Sequence, residues 1–106
     1  MDQTLLKVKT LQKFIQKHGE DIFISQTISK MLNYKIREYE RKIKKLDKDI
    51  KRFERTYKKD SSVFFKEFRA GTAGDDMAFV EWASFYQMRN LLLDKKAELE
   101  GKRKDG

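Results

Sequence analysis

Nine residues between positions 37 and 55 fall on the b, c and f positions of a seven-residue repeat. Eight of them are cations: Arg37, Arg41, Lys44, Lys45, Lys48, Lys51, Arg52 and Arg55. Glu38 is the single anion among them. On a helix this row extends over roughly 27 Å. Any solvated helix face needs charge of some kind, so the sorting is more telling than the charge itself. A soluble helix normally gains about 0.2–0.5 kcal/mol from each i,i+4 pair of opposite sign, and this face mostly forgoes such pairs. The chemistry that suits it is polyanion binding. A phosphate backbone would neutralise the row and release its condensed counterions, without reading sequence.

Catalytic chemistry is poorly provided for. The chain has no cysteine and one histidine, His18. Any nucleophile–histidine arrangement must therefore use His18, which falls at the end of the first helical segment, where the helix dipole favours a cation. Asp75 and Asp76, with Glu81 a turn further on, lack the spaced ligands of a calcium loop and read as helix-start residues. Gly71 to Gly74 is not followed by the Gly-Lys-Ser/Thr of a phosphate loop. These absences point to a protein that is not an enzyme and needs neither metal nor cofactor.

The elements that would carry the cationic row are helices. The chain of 106 residues has no proline, and 40% of it is charged against about 25% in an average globular domain. No glycine lies between Glu20 and Ala70. Within that stretch, Leu32, Ile36, Tyr39, Ile43, Leu46, Ile50, Phe53 and Tyr57 alternate at spacings of four and three, which is a heptad seam. The seam predicts one long helix over 28–59. The segment Tyr34 to Lys59 has twelve basic and five acidic residues, a net of +7 against +8 for the whole chain. The e positions, Glu40, Asp47 and Glu54, are all acidic.

Around this helix the pattern predicts a first helix within 1–19, stopped by Gly19, and a short connecting helix over 62–69 rich in phenylalanine. A last helix is expected over 77–100, apolar on more than one side. The run Ile22 to Ile24 reads as a short strand or an extended linker, with Ser25 or Thr27 capping the long helix. The tail Gly101 to Gly106 is expected to fray. The expected architecture is all-α and a single domain over 1–106. It is a long, coiled-coil-like helical hairpin with a short N-terminal helix and a short connecting helix. The seam has two uses open to it: folding back on the last helix, or pairing with another chain. The surface expected to meet a protein partner or a second copy consists of Leu32, Ile36, Tyr39, Ile43, Leu46, Ile50 and Phe53, together with Trp82, Phe85 and Tyr86 of the last helix. No apolar run reaches the roughly 18 residues that span a bilayer. A cytoplasmic protein that makes no use of a membrane is the expectation.

The stretch Asp21 to Ile28 resembles a segment of small helical proteins common in archaea, some of them labelled antitoxin-like. The same holds for Phe53-Glu-Arg-Thr-Tyr57, Ser62 to Phe68, and Gly74-Asp-Asp76 to Trp82. The resemblance covers most of the chain and transfers no catalytic residue. It implies a protein partner, a small toxin, held by a helical surface, with regulatory contact to DNA. The chain departs from that pattern in being basic, where a cap for a basic toxin would be acidic. Taken together, the expectation is a non-catalytic binding module for a protein partner with accessory nucleic-acid contact. The alternatives are a nonspecific DNA- or RNA-binding protein and a self-associating coiled coil.

Overall fold

A computed structural model describes residues 2–102. Among them the chain is all-α, with helices α1 (Gln3–His18), α2 (Ile22–Tyr57), α3 (Ser61–Arg69) and α4 (Met77–Leu99) and no strand. None of these helices is long and apolar enough to cross a membrane. The chain divides into two compact units, Met1–Asn33 and Tyr34–Gly106.

In the first unit, α1 is opened by Asp2, whose carboxylate accepts the Thr4 N–H at 2.9 Å. Gly19 closes it at φ 86°, a left-handed conformation that glycine takes without steric cost, donating its N–H to the Ile15 carbonyl. The next helix begins at Ile22, so the strand or linker expected over Ile22 to Ile24 is corrected to a helical first turn. Asp21 decides this. Its Oδ1 accepts the Ile24 N–H at 3.0 Å, satisfying one of the donors that a helix start leaves open. The caps expected at Ser25 or Thr27 are therefore not needed. β-branched and aromatic residues weaken helix propensity by only a few tenths of a kcal/mol each, less than the ~1 kcal/mol of a good cap.

In the second unit, α2 and α4 form an antiparallel pair, the long helical hairpin expected. Tyr57 and Phe53 near the end of α2 meet Phe79, Trp82 and Phe85 near the start of α4. Further along, Asp47 meets Arg89 and Glu40 meets Lys96. Helix α2 stops at Tyr57 because Lys58 turns to φ 52°, and the Lys59 N–H then reaches back to the Glu54 carbonyl at 3.3 Å. Helix α3 starts at once. Its N-cap, Asp60, makes no side-chain bond, and Glu54 of α2 does the work instead, accepting the Ser61 N–H at 2.9 Å.

The core lies where α2, α3 and α4 converge: Phe53, Phe64, Trp82 and Ala83, flanked by Phe65, Phe68, Phe79 and Phe85. Trp82 lies parallel to Phe64, with ring centres 3.8 Å apart, and Phe65 packs against Tyr86. After the loop 70–76, the Asp76 carboxylate accepts the Ala78 N–H at 2.9 Å and starts α4. Gly101, at φ 80°, follows the end of α4. The fraying expected of the tail falls largely on 103–106, outside the described residues.

Candidate functional site

The seam decides which way α2 faces. Ile43, Ile50 and Phe53 are buried, which turns the b, c and f positions outward. All eight predicted cations are exposed: Arg37, Arg41, Lys44, Lys45, Lys48, Lys51, Arg52 and Arg55. Among the described residues, Arg52 alone of the eight has a carboxylate within ion-pair distance, Asp49 at 3.4 Å. Its guanidinium also lies over the Phe53 ring at 5.9 Å.

The acidic e column turns the other way, toward α4 and α3. Asp47 Oδ1 accepts from Arg89 Nε at 2.7 Å, Glu40 lies 3.6 Å from Lys96 Nζ, and Glu54 holds the start of α3. The one outer-face anion, Glu38, is engaged by Lys35 at 2.7 Å. That hydrogen bond, with the lysine's charge, holds the Glu38 carboxyl below its ordinary range and raises the Lys35 ammonium. Apart from Asp49, which pairs with Arg52, the α2 carboxylates are thus occupied by Lys35, α3 and α4. The cations left there stand at i,i+3 and i,i+4 to one another, so each adjacent pair repels slightly, and a bound polyanion would relieve that repulsion.

The residues expected to meet a partner fall into three groups. Ile43, Ile50, Phe53 and Trp82 are buried within the chain. Ile36, Tyr39, Leu46, Phe85 and Tyr86 are half-buried, and Leu32, in the first unit, is exposed. Other apolar residues stay in the open. On α4, Met77, Val80, Met88 and Leu91 are all exposed and recur at helical spacing, as a stripe that the buried Trp82 and Ala83 do not share.

Sequence reasoning missed the cross-helix partners Arg89 and Lys96 and the capping role of Glu54. A signal for the first two was present. Glu40 and Asp47 are seven residues apart, and so are Arg89 and Lys96, as an antiparallel register requires. The Ser61–Glu54 bond had no such signal, because it depends on the turn at Lys58.

The other chemistry-bearing residues are in structural settings. The His18 ring packs on Phe14 at 4.8 Å. Asp76 is a helix cap. Among the described residues, no three His, Asp or Glu side chains gather where they could hold a metal ion. No family model, curated protein or solved structure matches this chain.

Proposed function

We propose that this chain is a non-catalytic helical binding module whose outer α2 face binds the phosphate backbone of nucleic acid. One observation carries the reading: seven of its eight exposed cations have no carboxylate within ion-pair distance among the described residues. A single straight face of lysines and arginines neutralises phosphates but has no fixed side-chain fork aimed at base edges. The binding is therefore nonspecific, with affinity falling steeply as salt rises. The test is a titration of fluorescent duplex DNA and of single-stranded RNA at several salt concentrations. For about five phosphates neutralised on duplex DNA, log K falls with log salt at a slope near −4 to −5. Reversing Lys44, Lys45, Lys48 and Arg52 to glutamate abolishes binding and leaves the helical circular dichroism unchanged. A reversed variant that binds with the wild-type slope would overturn the reading.

A second reading makes the chain an antitoxin-like module for a small protein partner, as its resemblance implies. The exposed stripe Met77, Val80, Met88 and Leu91 favours it, since unbranched methionines suit an adaptable apolar contact. Purification from the native source, before and after nuclease treatment, separates the two readings. A stoichiometric small protein that survives nuclease, and is lost with Met88→Lys and Leu91→Lys, supports the partner module. Material held only through nucleic acid supports the basic face. Both readings place the protein in the cytoplasm.

A further inference from the structure

The cationic face of α2 is built differently from a surface that holds single strands. Its b and f cations, Arg37, Arg41, Lys44, Lys48, Lys51 and Arg55, follow one another at spacings of four and three, with Lys45 and Arg52 beside them at c. They form one row on the outer side of a single helix, so the surface is convex. Nonspecific single-strand binders instead track the strand in a groove and stack its bases on successive aromatic side chains. No aromatic residue stands at a b, c or f position from 37 to 55. The two aromatics of that stretch, Tyr39 and Phe53, are on the seam, where Phe53 is buried and Tyr39 half-buried. Tyr34, one heptad before Arg41 at the f position, is 64% exposed, so the face offers a stack to one base at its end and to none along its length.

We infer that the nucleic acid held by this face is double-stranded, an inference that rests on the phosphate-binding reading above. Charge density selects the duplex. A binder that acts through phosphates alone gains most where the charge is densest. A duplex has one phosphate per about 1.7 Å of its axis, and about 0.9 of a counterion is released per phosphate neutralised, against about 0.7 on a single strand. Shape selects it too. The row is roughly 27 Å long, more than twice the ~12 Å width of a B-form major groove, so laid across the groove its two ends reach the backbones on either side. A rigid duplex presents those phosphates already ordered. A single strand must be straightened along the row, with no stacked bases to offset that loss. This phosphate chemistry is shared by DNA and RNA duplexes, and the test separates them.

The full chain is titrated into DNA and RNA duplexes of about 20 base pairs, longer than the row can cover at about 3.4 Å per pair. Oligothymidine and oligouridine strands of the same length are titrated beside them. For about five phosphates neutralised, the salt slopes are near −4.5 on duplex and −3.5 on single strand, which opens about a tenfold gap in affinity between about 1 M and 0.1 M salt. At the lower salt a duplex should therefore bind about tenfold tighter than the single strand of its own chemistry, and the duplex that does so distinguishes DNA from RNA. Tyr34→Ala should leave these affinities unchanged, whereas Arg41→Ala with Lys48→Ala should flatten the duplex slope by about two. Single strands bound as tightly as the duplexes would overturn the inference and leave the basic face standing as a phosphate-binding surface. So would a Tyr34→Ala variant that loses as much affinity as the double cation variant. Binding to none of the probes would overturn the inference together with the reading it rests on.

Discussion

Trp82 has one polar atom, and the fold supplies one acceptor for it. The indole Nε1–H donates to Ser61 Oγ at 2.9 Å, with Trp82 1% and Ser61 3% exposed. Ser61 is itself held by the Glu54 carboxylate through its backbone N–H. A polar group this deep costs free energy unless it is paired, so the three residues fix the angle at which α3 leaves α2. Removing the hydroxyl leaves the indole donor unpaired at a site closed to water. Ser61→Ala should therefore lower stability by about 1–3 kcal/mol, read as a shift in the urea midpoint at unchanged m-value. Ser61→Thr, which keeps an acceptor, should cost less. An alanine variant as stable as wild type would show that the indole finds another partner.

Between helices, charge and apolar contact divide the labour along the α2–α4 pair. Near the α3 end the contact is aromatic, with Phe53 and Tyr57 against Phe79, Trp82 and Phe85. Farther along it becomes ionic, through Asp47–Arg89 and Glu40–Lys96. The two regions do different work. Stacked rings and burial stabilise the pair, whereas half-exposed ion pairs contribute little and chiefly choose the register. A double-mutant cycle on Asp47→Ala and Arg89→Ala should give a coupling of about 1 kcal/mol or less. Arg89→Glu should cost more than Arg89→Ala, because like charges would then face each other across the pair. Equal losses from the two substitutions would mean that the pair has no part in setting register.

Across the molecule, the two units differ in how much they bury. All the buried residues of the described chain lie between Ile43 and Ala83, in the second unit. Amide exchange follows local opening, which is easiest where few apolar contacts are lost. Amides of α1 should therefore exchange well before those of α2 around Phe53 or α4 around Trp82. Equal protection in α1 and at Trp82 would contradict this ordering.

The residues themselves determined the helical class, the long seam and the basic outer face. A seven-residue repeat fixes which positions share a side of a helix, and glycine or its absence marks where helices stop. Gly19, the heptad from Ile36 to Tyr57 and the bounds of α4 were legible in this way. The start of α2 was not, because Asp21 competes as a cap with Ser25 and Thr27, and propensity alone disfavours Ile22 to Ile24. The use of the seam was not legible either. Apolar seams of the same spacing serve contacts within a chain and between chains, and only the antiparallel approach of α4 placed Asp47 on Arg89 and buried Phe53 beside Trp82. Tertiary structure alone also gave the acidic column its partners on α4 and α3, which left Arg52 as the one outer-face cation with a carboxylate within ion-pair distance among the described residues. It left the groove beside Val8 and Met31 open as well, because burial depends on which surfaces meet in space, and spacing along one helix does not specify that.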